Sequence, residues 1–172
     1  MKSYTLPIIL CTFFAIYGCA RYDDDFPVSE STICNTINQF VNEVLPVSGN
    51  KFYNKASFNI LTSTDSLYLI KQYSLFSPGD IDYIFRQNRI SEDYELSNCL
   101  QNKELVSHQT IMENHSLGYY NISAPLFSLD KELVIIEFSY FCGGLCGNGG
   151  TYVYKKENRT WRLKLTLIYW IS

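Results

Sequence analysis

The chain has 172 residues, 47% of them hydrophobic and 16% aromatic, which suits one domain with a sizeable core. Lys and Arg number 14 against 17 Asp and Glu, a net charge of −3 at pH 7. With no basic cluster, the chain lacks the cation density that phosphate backbones demand, so nucleic acid is not an expected partner.

Lys2 precedes an apolar run from Leu6 to Ile16, and Tyr17-Gly18-Cys19 follows it. The run falls short of the roughly 20 apolar residues that span a bilayer, so it reads as a removable leader. Ile16, Gly18 and Cys19 together resemble the cleavage site of a bacterial lipoprotein, or type II, signal peptide. That resemblance implies cleavage before Cys19, acylation of its sulfur and a stable hold on a lipid bilayer by more than one acyl chain. An ordinary cleaved leader, with Cys19 incidental, is the alternative. Asp23-Asp24-Asp25 repel one another and anionic headgroups, so residues 19–30 read as an extended acidic tether. An acidic run just behind a lipidated cysteine resembles the surface-export signal of Bacteroidota lipoproteins. It implies the outer membrane, on its periplasmic or its surface-exposed side. The expected organisation is a signal peptide over 1–18, a tether over 19–30 and a single α+β domain over 31–172.

From Ser31 to Leu45 the apolar residues Ile33, Ile37, Phe40, Val41, Val44 and Leu45 recur at helical spacing, and Pro46 and Gly49 end the pattern. Residues 51–65 carry no clear period. Leu67 to Tyr73 reads as a strand. Ser77-Pro78-Gly79-Asp80 opens a second, short helix with Ile81, Ile84 and Phe85 on its buried side, fading near Asn88. Tyr94–Leu100 and Glu104–Ser107 read as short strands and residues 108–118 as loop. Tyr119–Ser123, Glu132–Phe141, Thr151–Lys156 and Thr160–Trp170 read as a four-stranded meander, with Leu133–Phe138 in a central strand. In the last strand Trp161, Leu163, Leu165, Leu167 and Tyr169 alternate with Arg162, Lys164 and Thr166, the pattern of a half-buried antiparallel strand. The fold class expected is α+β: a mostly antiparallel sheet packed by the two helices.

Of six cysteines, Cys11 leaves with the leader and Cys19 takes lipid. Cys34, Cys99, Cys142 and Cys146 then sit in an oxidising compartment, where disulfides form. Three pairings exist. Cys142 and Cys146 share one short loop, so Cys142–Cys146 with Cys34–Cys99 is the favoured set. Loop-closure entropy assigns about 2 kcal/mol to the short bridge and about 4 kcal/mol to the long one.

Cys142 to Gly150 holds five glycines in nine residues. A phosphate cradle would lead into a helix and carry a lysine, but this stretch leads into Thr151-Tyr152-Val153-Tyr154, so a disulfide-pinned hairpin loop is the better reading. The run Ile122 to Asp130, the segment Cys142-Gly-Gly-Leu-Cys146-Gly, Lys156 and Trp161 together resemble the C-terminal segment of small uncharacterised secreted or lipid-anchored bacterial proteins. That resemblance implies a shared sheet-and-loop module and brings no catalytic residue with it.

Catalytic patterns are thin. A cysteine nucleophile would pair with His108 or His115, and a zinc site would draw on these with Cys142 and Cys146, but paired cysteines serve neither role. Glu113, Asp130, Glu132 and Glu137 are candidate glycosidase carboxylates, and Glu137 stands out by sitting mid-strand among apolar neighbours. No residue pattern implies a metal or a cofactor. The expected function is a non-catalytic, membrane-anchored binding module for a ligand or an envelope protein. The alternative is a hydrolase acting on envelope or extracellular glycans or peptides.

Overall fold

A computed structural model describes residues 28–45, 51–71, 75–90, 92–143 and 146–172. The leader, Cys19 and the acidic run lie outside these described residues. Helix α1, Glu30–Glu43, starts where the Ser29 hydroxyl accepts from the Thr32 N–H. Its buried stripe holds Ile33, Ile37, Phe40 and Val41, as the periodicity predicts. The Phe40 ring meets Tyr154 edge-on at 4.7 Å and stacks on Trp161 at 5.8 Å.

Strands β1 (Lys51–Tyr53) and β2 (Lys55–Ala56) follow. Helix α2, Ser63–Lys71, occupies the segment predicted as a strand from Leu67. The Asp65 carboxylate accepts from both the backbone N–H and the hydroxyl of Thr62, each at 2.7 Å, half of a capping box. That local bond settles an apolar run too short for its period to decide. Helix α3, Pro78–Asn88, opens with the full capping box predicted at Ser77 and Asp80.

Strand β3, Tyr94–Glu95, pairs with β2, and residues Leu96–Asn98 turn as a 3-10 helix, so the predicted strand over Tyr94–Leu100 is cut to two residues. Strand β4 is Glu104–Val106. Helix α4, His108–Glu113, replaces the predicted loop; the Ser107 hydroxyl caps it by accepting from the Thr110 N–H. Strands β5 (Tyr119–Ile122), β6 (Leu126–Phe127), β7 (Leu133–Phe141), β8 (Gly147–Glu157) and β9 (Thr160–Ile171) complete the chain.

The main sheet runs β4-β1-β5-β7-β8-β9, and β6 extends the β5 edge of β7. β1 is parallel to both its neighbours and every other pairing is antiparallel. The C-terminal antiparallel meander and the α+β class therefore stand as predicted. β7 lies inside the sheet, and Leu133, Val134, Ile135 and Ile136 are all buried.

Two predictions about the C-terminal strands need correction. β8 begins at Gly147, so Gly147 to Gly150 pair with Phe141 to Phe138 as sheet and do not form loop. β9 is not half-buried: Trp161 is its one buried side chain and Leu163 is 52% exposed. Two bulges leave Lys164 and Leu167 without partners on β8. Each added residue reverses the facing of the side chains C-terminal to it, so Leu163 shares the Tyr154 side while Leu165 joins the opposite side with Val153.

Buried polar side chains complete the backbone pairing. The Gln87 amide, 1% exposed, donates to the Phe127 carbonyl at 2.8 Å and accepts from the Phe127 N–H at 2.9 Å, standing in for a strand beside β6. Asn88 does the same for Ile60 and Leu61. Both favoured disulfides are present, with Cα–Cα separations of 4.7 Å for Cys34–Cys99 and 5.1 Å for Cys142–Cys146. The first ties α1 to the 3-10 turn, where Asn38 also donates to the Cys99 carbonyl at 2.6 Å. Tyr94 lies with its hydroxyl 3.3 Å from the Cys34 sulfur. Burial and the negative Glu30 beside it push that hydroxyl up to about 12.

Candidate ligand-binding face

Strand pairing decides which side chains share a face. On one face Glu137 of β7 aligns with Thr151 of β8 and Ile168 of β9. The next row holds Asn121, Ser139, Gly149 and Trp170, and beyond it Tyr119 and Phe141 align with Gly147. Phe52 pairs with Tyr120 on the other side, which puts Tyr53 on this face in the row of Asn121, diagonal to Tyr119 and near enough to act on its hydroxyl. Tyr53, Tyr119, Phe141 and Trp170 thus form an aromatic stripe crossing the sheet from β1 to β9, every ring half-buried. Tyr119 and Phe141 stack at 5.2 Å, and Phe141 meets Trp170 at 5.7 Å.

The glycines of β8 make room for the stripe. A Cβ at Gly149 would stand 2.9 Å from both the Trp170 ring and the Ser139 Cα, and one at Gly147 would stand 3.3 Å from the same ring. The indole therefore lies over β8 in the space that Cβ atoms occupy in an ordinary strand. The glycine-rich segment acts as the floor beneath Trp170 and leads into no helix, so the phosphate-cradle reading falls away.

Beside the rings sit the half-buried Glu137 and Asn121. Burial raises the Glu137 carboxyl above its ordinary value, and a hydrogen bond from the Thr151 hydroxyl, 3.4 Å away, pulls the other way. A partly desolvated carboxylate one row from Trp170 is a strong acceptor for a ligand's hydroxyl or amine.

The other candidates are dispersed. Glu113 ends α4 and accepts from Gln109 at 2.8 Å. Asp130 accepts from the Ser128 hydroxyl and the Glu132 N–H, so it holds the turn ahead of β7. His108 and His115 are exposed. The backbone carbonyl of His115 borders Gly143 in the Cys142–Cys146 loop. The four cysteines among the described residues are bridged, so none of them is a free thiolate for a metal or a substrate. Among the described residues no three His, Cys, Asp or Glu side chains converge to hold a metal ion, and no helix is long and apolar enough to cross a membrane.

Comparisons with protein-family models, curated proteins and solved structures find no match to this chain. Of the residues on this face, only Glu137 was legible as a candidate in the sequence. Tyr53, Tyr119, Asn121, Phe141 and Trp170 become neighbours through strand register, which the sequence alone leaves open. The one local sign was the alternating glycine pattern at Gly147 and Gly149.

Proposed function

We propose that this protein is a non-catalytic binding module of the bacterial cell envelope, held on the outer membrane by acylated Cys19. Its aromatic face engages a ligand or an envelope protein. The observation that carries the reading is the stripe of Tyr53, Tyr119, Phe141 and Trp170 beside Glu137. Four half-exposed rings give up water readily, and Glu137 and Asn121 supply directional hydrogen bonds. The lipoprotein reading is supported by Lys2, the Leu6–Ile16 run and Gly18-Cys19, with both disulfides fitting an oxidising compartment.

The hydrolase alternative needs a second carboxylate close to Glu137. The residues aligned with it are Thr151 and Ile168, and the flanking rows carry Ser139, Gly149, Trp170, Ile135, Val153 and Leu165. That composition suits adhesion better than acid–base chemistry.

A photoreactive residue at Asn121, on the full chain in its native membrane, tests the binding reading. Specific adducts are expected at Asn121 and not at the exposed control position Gln101. Equal labelling at both, or none at either, overturns it. The mass of the mature protein reports separately on Cys19, where an unacylated sulfur removes the anchor.

A further inference from the structure

The outer edge of β9 carries backbone and side-chain chemistry that the aromatic face does not use. Among the described residues no strand pairs with that edge. Near its C-terminal end Ser172 and Gly147 exchange both backbone hydrogen bonds. Residues of an antiparallel strand point their N–H and C=O alternately inward and outward. Ser172, Trp170 and Ile168 therefore point theirs at β8, while Tyr169 and Ile171 point theirs outward. The same two residues are the most open of the strand's large hydrophobic side chains, 59% and 72% exposed.

The first half of β9 is defended against edge pairing. Together with the stretch up to Leu167 it holds both bulges and the cations Arg162 and Lys164, devices that discourage strand addition. Ile168 to Ser172 has neither: its side chains are uncharged and it is regularly paired with β8.

We infer that this segment pairs antiparallel with the same segment of a second copy, about a two-fold axis at Trp170. In that register Tyr169 faces Ile171 of the other copy and Ile171 faces its Tyr169. All four outward backbone groups of each chain then find partners, four hydrogen bonds in total, and Tyr169 covers Ile171 on both sides of the axis. Centring one residue earlier would set Ile171 against the bulged Leu167, and one residue later would leave Tyr169 facing no residue of this segment. The charges agree with this choice. Arg162 and Lys164 fall beyond the paired segment, whereas a parallel arrangement of whole strands would set them against their own copies. Trp170 forms the central pair that exchanges no hydrogen bonds, and its ring leans over β8, away from the axis. The aromatic stripes of two copies then run on into one another.

Three variants of the full chain test the pairing in its native membrane. Trp170→Cys is expected to form an intermolecular disulfide, seen as a species of twice the chain mass without reductant, whereas Lys164→Cys is not. Ile171→Pro removes an outward N–H and no bond to β8. It is expected to lower amine cross-linking to the twofold mass at least tenfold while leaving the thermal midpoint near that of the parent. Equal disulfide yield from both cysteine variants overturns the proposal. So does undiminished cross-linking of Ile171→Pro, or a cross-linked species of some other mass, which assigns the edge to a different protein.

Discussion

Glu137 carries a cost that depends on pH. Burial raises its carboxyl above the ordinary 4.5, so between that value and the raised one the folded state binds more protons than the unfolded state. Stability from this group is therefore fullest below pH 4.5 and declines as pH rises through the folded value. Asp80 shifts the opposite way, its hydrogen bonds from Ser77 and Leu129 outweighing burial, so bulk acid titration mixes the two. The difference between parent and Glu137→Gln isolates the first effect. The variant is expected to gain on the parent as pH rises from 4 to 7 in urea melts, with the two converging at the acid end. A constant difference across that range removes the buried-carboxylate account.

At the scale of elements, the caps and the bridges carry most of the specification. α1 was legible because its apolar residues keep a helical period, without its Ser29 cap being read, and α3 because Ser77 caps it and its apolar residues do the same. α2 and α4 were not. Thr62 with Asp65 and Ser107 with Thr110 are equivalent signals, but among the described side chains Leu69 alone is buried in α2 and none is in α4, so the period is faint. The two disulfides differ in what they restrain. Cys34–Cys99 closes a loop spanning 65 positions and Cys142–Cys146 one spanning 4. Replacing the first pair with serine is expected to cost about 4 kcal/mol and the second about 2 kcal/mol. Urea midpoints of the two double variants check the order, and a larger loss from the short bridge contradicts it.

For the whole molecule, the class and the C-terminal meander were readable because β7 is apolar on both sides and β9 alternates. The site was not readable, because a face is assembled by register. The bulge at Lys164 moves Leu165 to the side opposite Leu163, and the bulge at Leu167 restores the alternation that sets Trp170 opposite Tyr169. The N-terminal half of the sheet depends on strands made later in the chain. β1 has two neighbours, β4 and β5, and β5 is the link to β7. A chain cut after Leu117 would keep a two-stranded parallel ribbon of three paired residues, too little to persist in water. Backbone amides of Phe52 and Tyr53 are expected to exchange within the dead time in that fragment and slowly in the full chain. Slow exchange in both would show that the early elements hold on their own.

The position of β5 so late in the chain sets the timing of biogenesis. Until the residues beyond 117 reach the compartment in which the chain folds, β1 has no strand linking it to β7, and α1 lacks the Tyr154 and Trp161 rings it packs on. β7, β8 and β9 are joined by short turns, so once made they can zip together quickly. The early segments are then recruited onto a finished template, and maturation proceeds from the tail back toward the head.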